Sequence, residues 1–252
     1  MQRRPGFPAR LDGRQSPAGQ PPRREAPSPV SRGLGLDSVA VRARMVQRLA
    51  APGIIPAPVL QAMGAVERHR FVDTALVNQA YEDTSLPIGL EQTISKPSVV
   101  ARMTALLLEA ECAQAPGGLG RVLEIGTGCG YQAAVLARMA REVYTIERLR
   151  ALHEKARANL RPLRLANVHL ILGDGMLGYA AGAPYAGIIC AAGSQSLPPQ
   201  WCEQLAVGGR LVAPLADGGG QQALLVVDKT AQGLRQRALE AVHFVPLKSG
   251  VV

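Results

Sequence analysis

The sequence predicts an α/β domain: a doubly wound, mostly parallel sheet with helices on both faces and a helical layer at its N-terminal side. From residue 121 onward, short apolar runs of strand length alternate with stretches of helical periodicity, the pattern of a parallel sheet covered by helices. One such run, Val122-Leu123-Glu124-Ile125, leads directly into three alternate glycines and a helical stretch. Hydrophobic residues make up 47% of the 252 positions, enough for one sizeable domain with a buried core.

Val39, Arg42, Met45, Val46 and Leu49 recur at helical spacing, with Ser38 placed to cap the start and Pro52-Gly53 to end it. Residues 56–68 read as a second helix. The stretch 80–96, with Pro87, Gly89 and alternating Thr93 and Ser95, reads as loops and short extended pieces. Pro97 suits the first position of a helix over 97–111, where its missing N–H would have had no helical partner. Residues 114–120, rich in Pro and Gly, form a linker. Strands are then expected at 121–125, 142–147, 168–172, 185–191, 209–214, 223–227 and 238–245. Helices are expected at 131–139, 149–160 and 198–205. No internal repeat is present.

Residues 1–36 differ from the rest. They hold seven arginines against Asp12 and Glu25, with seven prolines, five glycines and few large apolar side chains. Such a segment cannot bury enough apolar surface to offset the entropy of folding. The expected organisation is therefore a disordered basic tail over 1–36 and a domain over 37–252. The tail accounts for most of the net charge of +9. A basic tail can contact nucleic acid or anionic lipid, yet Phe7 is its lone aromatic, so base stacking finds no support. It has no apolar core for a secretion signal, and its prolines oppose an amphipathic transit helix.

No apolar run approaches the roughly 18 residues of a membrane span. Cys112, Cys129, Cys190 and Cys202 show no CxxC pairing, and His69, His153, His169 and His243 show no metal-ligand spacing. The expectation is a soluble, cytoplasmic monomer without metal, membrane or nucleic-acid partner.

The chemistry concentrates after the first strand of the alternating region. Gly126 and Gly128, in Gly126-Thr127-Gly128-Cys129-Gly130-Tyr131-Gln132, permit a tight turn and let a ligand lie against bare backbone beside a helix N-terminus. A dinucleotide fingerprint would need glycine where Tyr131 stands. Glu124 would repel a diphosphate and suits a ligand bearing positive charge, such as the ammonium and sulfonium of S-adenosylmethionine. Glu147 ends the next strand at the spacing of a carboxylate that grips ribose hydroxyls. Gly173-Asp174-Gly175 follows the third strand, where Asp174 can accept from an adenine amino group. Either a solvated strand end or a plain turn would also produce each of these features singly. Their occurrence at three successive strand ends points to one binding edge.

The chain resembles the protein-L-isoaspartate O-methyltransferases over about residues 39–248. The resemblance rests on this glycine loop and on Arg70-Phe71-Val72, Ala80-Tyr81-Glu82-Asp83, Leu86-Pro87-Ile88-Gly89 and Gln92-Thr93-Ile94-Ser95-Lys96-Pro97. It rests also on Phe244-Val245-Pro246-Leu247, similar to the family's C-terminal strand. It implies a Rossmann-like class I methyltransferase fold and S-adenosylmethionine as cofactor. The implied substrates are L-isoaspartyl residues in damaged proteins and peptides. Ser95 is then the catalytic serine, with Thr93, Ser95, Glu124, Gly126, Gly128, Gln132, Glu147, Asp174 and Gly175 at the cofactor. Lys96 departs from the family's usual Gln or small residue, and Ala186 replaces an aspartate common at the start of the fourth strand. An isoaspartyl carboxylate, with a pKa near ~4, is already ionised at neutral pH, so no strong base is needed. Ser95 has two readings: a hydrogen-bond donor that orients this carboxylate, or an N-cap for the helix at Pro97. Another class I methyltransferase, or a nucleic-acid-binding protein using the basic tail, remains an alternative.

Overall fold

The computed structural model describes residues 39–116, 118–217 and 219–252. The expected tail over 1–36 and the Ser38 cap lie outside the described residues.

The N-terminal layer begins with helices α1 (Val39–Ala50) and α2 (Ala57–Ala65). Met45 and Leu49 bury one face of α1, as their spacing predicts. Helix α2 stops short of the expected 68 because Val66 is extended, after which the chain tightens into a 3-10 turn over Arg68–Phe71. That turn buries both Arg68 and Phe71. An antiparallel hairpin of β1 (Leu86–Gly89) and β2 (Gln92–Ile94) follows. Helix α3 (Pro97–Leu108) starts at its proline, and a separate turn of helix, α4 (Glu111–Gln114), follows it.

Seven strands form one sheet: β3 (Leu119–Ile125), β4 (Ala140–Glu147), β5 (Val168–Leu172), β6 (Tyr185–Cys190), β7 (Leu205–Ala216), β8 (Gln222–Thr230) and β9 (Gly233–Val242). Their order is β5-β4-β3-β6-β7-β8-β9. Pairs from β5 through β7 are parallel, and β7–β8 and β8–β9 are antiparallel. Helices α5 (Tyr131–Leu136), α6 (Arg150–Leu160) and α7 (Pro199–Gln204) connect the parallel strands. Every residue of β6 is buried, which explains its continuous apolar sequence. The strand order reverses between β3 and β6, the place where ligands bind in open sheets of this kind.

The antiparallel end departs most from expectation. Strands β7 and β8 are longer than the apolar runs suggest, because pairing continues through polar residues such as Arg210 opposite Asp228. Strand β9 begins at Gly233 rather than 238. Its first six residues are exposed, so no apolar alternation marks its start. The segment 243–247 is not a continuation of β9. Phe244 is buried, and Pro246 forms an isolated parallel bridge with Gly193 beside the end of β6.

Several polar side chains fasten these layers. Lys155 of α6 donates to the Ile88 carbonyl at 2.8 Å and to Asp73 at 2.9 Å, tying the hairpin to the sheet's helices. The buried Trp201 of α7 donates from Nε1 to the Gly175 carbonyl at 2.8 Å and fixes the loop after β5. Arg210 makes two bonds to Asp228, at 2.6 and 3.0 Å, and donates to Glu109 and to the Leu106 carbonyl, each at 3.0 Å.

Replacing Arg210 with Met should therefore loosen the joint of α3, β7 and β8. Bonds to charged groups contribute about 1.5–3 kcal/mol each where buried, but Glu109 is half-exposed and would be rehydrated. The expected net loss is about 2 kcal/mol, read as a lower urea midpoint with an unchanged slope.

Candidate active site

The carboxyl ends of β3, β4 and β6 and the loop after β5 border a cleft of about 420 Å³. The β1–β2 hairpin and the segment 245–248 complete its walls. The glycine loop forms its floor. Beyond the end of β3, the N–H groups of Gly126 and Thr127 both donate to the Ile146 carbonyl, at 2.9 and 3.1 Å. This turn demands left-handed backbone, with φ of +89° at Gly126 and +57° at Gly128. A Cβ at Gly128 would also lie 3.2 Å from the Ile88 side chain, so hairpin and loop approach closely only because the residue is glycine.

Glu147, only 5% exposed, is held from both sides. Its Oε2 accepts from the Gly128 N–H at 2.9 Å and its Oε1 from the Leu149 N–H at 3.0 Å. The acid is thereby fixed in place.

Glu124 has a different environment. It is fully buried, and the Thr145 hydroxyl donates to its Oε2 at 2.6 Å, with the Thr127 hydroxyl 2.7 Å further along. Its Oε1 and the Nε2 of Gln132 are both sealed from solvent, and the Gln132 amide acts on the carboxyl from close by. Both residues line the cleft. Burial pushes the Glu124 carboxyl up to about 8, against weaker lowering by Thr145 and Gln132 and with Glu147 adding to the rise. Desolvation therefore works against the negative charge expected of this residue.

Ser95 lines the cleft between β2 and α3. The N-cap position of α3 belongs to Lys96, with no side-chain cap bond. The helix is served instead by Asp83, whose Oδ1 accepts from the Ser98 N–H at 2.8 Å. Ser95 therefore does not cap this helix. The Ser95 carbonyl accepts from Nη2 of Arg68 at 2.8 Å, while Nε of Arg68 donates to the Ala80 carbonyl at 2.7 Å. The Arg68 guanidinium lies 4.8 Å from the centre of the Tyr131 ring.

Of the site residues expected from sequence, Thr93, Ser95, Glu124, Gly126, Gly128, Gln132, Glu147 and Gly175 line the cleft together. Asp174 stands just outside the lining, with Oδ1 accepting from Met176 N–H at 2.9 Å and Oδ2 from Gly250 N–H at 2.7 Å. Lys96 is exposed and does not line the cleft. Ala186 lies in β6 near its start, away from the ligand edge. Sequence reasoning missed Arg68, which sits in the run Glu67-Arg68-His69-Arg70 and looks like a solvated surface stretch. It also missed Arg148 and Leu149, which follow Glu147 into the lining with no pattern to mark them.

The cleft contains no histidine. Burial pushes the Cys129 thiol up to about 11 and the Cys190 thiol to about 12, so neither is a nucleophile at neutral pH. The arrangement offers backbone turns, fixed carboxyls and an amide to a polar ligand, with a hydroxyl at the rim. It has the parts for orientation and lacks those for strong base catalysis.

Residues 40–252 match the family model of protein-L-isoaspartate(D-aspartate) O-methyltransferase. A protein-L-isoaspartate O-methyltransferase of Methylibium petroleiphilum is 57% identical over 263 residues, covering 98% of this chain and 96% of that one. One from Leptothrix cholodnii is 57% identical over 240 residues, covering 94% and 83%. Among solved structures, a protein-L-isoaspartate O-methyltransferase matches with TM-score 0.73 at 26% identity, over 83% of this chain and 67% of that one. A Plasmodium falciparum protein named for the same methyltransferase, in complex with S-adenosyl-L-homocysteine, matches with TM-score 0.70 at 23% identity, over 82% and 98%. This last likeness is one of fold.

The raised Glu124 carboxyl has a consequence for stability. Between the ordinary carboxyl value and about 8, the folded chain binds a proton there that the unfolded chain does not. That contribution is present below the unfolded value and turns unfavourable as pH rises through the window. Glu124→Gln removes it. The melting temperature of the variant relative to wild type should therefore rise between about pH 5 and about pH 8, measured by thermal denaturation in matched buffers.

Proposed function

The chain belongs to the protein-L-isoaspartate(D-aspartate) O-methyltransferase family, and from that premise we propose that it methylates the carboxylate of L-isoaspartyl residues in damaged proteins and peptides. S-adenosylmethionine is the cofactor, and when bound it supplies a methyl group on a sulfonium, already activated for displacement by oxygen. The observation that carries this reading is the convergence in one cleft of the glycine loop, Glu147 and the segment 93–95.

The residues present fit that cofactor. Gly126 and Gly128 leave backbone bare at the loop, and Glu147 presents fixed acceptors to ribose hydroxyls. Glu124 and Gln132, which also line the cleft, add to its polar wall behind that loop. Gly175 lines the side that faces the base, and Asp174 Oδ2 retains a lone pair beyond its bond to Gly250. Thr93 and Ser95 form the rim toward the substrate.

The substrate carboxylate arrives ionised, so this chain needs to orient it rather than deprotonate it. Ser95 donates a hydrogen bond to the carboxylate, and the Arg68 clamp on its carbonyl holds that hydroxyl in place. Orientation of this kind removes several kcal/mol (~7 at the low end for well-aligned groups) from a bimolecular barrier. The proposal extends to a monomer that works without metal in the cytoplasm. Four free cysteines among the described residues suit a reducing compartment.

Two measurements test the reading. Labelled methyl from S-adenosylmethionine should enter an isoaspartyl peptide and not its aspartyl twin; equal labelling of both would reject the assigned substrate. Ser95→Ala should lower kcat roughly ten- to a hundredfold, the loss of about 1.5–3 kcal/mol from one bond to a charged group, while cofactor affinity changes little. An unchanged kcat would remove Ser95 from the catalytic step.

A further inference from the structure

The hairpin that leads to Ser95 turns through two residues ill suited to the turn. Gly89 pairs with Gln92 across the hairpin, so Leu90 and Glu91 form its two-residue loop. Both have left-handed backbone, with φ of +52° and +58°. A turn of this hand favours Asn-Gly, because a larger side chain crowds the backbone there. Neither residue offsets that strain by entering the core: Leu90 is 54% exposed, and Glu91 is exposed as well. Both line the cleft. Strain kept at the border of a site, with no burial in return, points to a role for these side chains at the cleft mouth.

Five charged residues line the cleft: Glu91, Glu124, Glu147, Arg148 and Lys248. Glu124 and Glu147 are buried, and Arg148 donates from Nε to the Gly250 carbonyl at 3.2 Å. Glu91 and Lys248 are the exposed pair, and Lys248 belongs to the segment 245–248 rather than to the hairpin. At the base of the hairpin, Lys155 is already paired with Asp73 at 2.9 Å. The hairpin tip therefore presents an apolar side chain beside a negative charge. Its complement is a lysine or arginine, whose aliphatic stem packs on apolar surface while the head meets the charge. Glu91 stands four residues before Ser95, no more than roughly 13 Å away at ~3.3 Å per residue. An extended substrate covers about half to three-quarters of that span in two or three residues, and a long basic side chain bridges the rest.

We propose that the Leu90–Glu91 turn selects substrates with a basic residue two or three places from the isoaspartyl residue. The stem of that lysine or arginine lies on Leu90, and its cationic head pairs with the Glu91 carboxylate. The inference rests on the substrate assigned above and names the sequence context in which the site takes it. The turn touches neither the methyl donor nor the accepting carboxylate, so it acts on substrate binding and not on the transfer step.

Methyl transfer by the full chain from S-adenosylmethionine to paired isoaspartyl peptides tests this. The peptides differ only in carrying Lys or Glu two or three places from the isoaspartyl residue, on either side of it. On at least one side, wild type should show a KM roughly three- to tenfold lower for the lysine peptide, with kcat alike for both. About 1 M salt should remove most of that difference, because the pair is exposed. Glu91→Lys should reverse the preference; the same preference in that variant would overturn the inference. Leu90→Asn combined with Glu91→Gly gives the turn its favoured residues, so it should melt a few degrees above wild type while losing the selection. A stabilised double variant that still selects the lysine peptide would overturn the inference as well. Methylation of both peptides by wild type with equal KM rejects this inference alone, whereas methylation of neither rejects the functional reading together with it.

Discussion

The parallel pairing of β3 with β4 is the constraint on which the site depends. Ile125 and Ile146 sit opposite one another at the ends of the two strands. The Ile146 carbonyl then accepts from both Gly126 and Thr127, so the register carries into the loop. One residue further, Glu147 reaches across to Gly128. A shift of one residue in this pairing would send Glu147 to the other face of the sheet and leave the loop without its anchor. It would also part Thr145 from Glu124, since these two are register partners. Floor, fixed acid and buried carboxyl are consequences of one strand alignment.

The two glutamates illustrate how position alone divides chemical roles. Glu124 and Glu147 belong to adjacent strands and line the same cleft. Glu147 receives two backbone N–H groups, one on each oxygen, which fix its orientation. Glu124 receives one hydroxyl and is otherwise enclosed, so desolvation dominates and favours the neutral form. The family's chemistry needs no strong base, and the cleft provides fixed geometry and a tuned charge instead.

The N-terminal layer supplies one wall of the cleft and has to be held against the sheet. Arg68 does part of this from inside, linking Ala80, Ser95 and the Tyr131 ring at the start of α5. Burial lowers its pKa from the ordinary arginine value, yet an arginine keeps its charge under any physiological condition. Lys155 does the same work from outside by gripping the Ile88 carbonyl. Asn159 of α6 adds a bond to the Cys129 carbonyl at 2.9 Å, so α6 braces both the hairpin and the glycine loop.

Local patterns in the sequence determined the parallel part of the sheet and the glycine loop, and eight of the nine residues they single out for the site line the cleft. These features are legible because each is written in a short stretch: an apolar strand, a glycine that must turn left-handed, an acid at a strand end. The limits of β7, β8 and β9 were not legible, because their extent follows from cross-strand pairing, which polar residues join as readily as apolar ones. The same holds for Arg68, whose burial depends on a carbonyl 27 residues away rather than on its charged neighbours. Tertiary structure alone decided that Asp83 and not Ser95 serves the start of α3. It decided too that Glu124 is enclosed, so that burial raises its pKa. A residue's type sets which protonation states it can take, but desolvation by the surrounding chain selects among them.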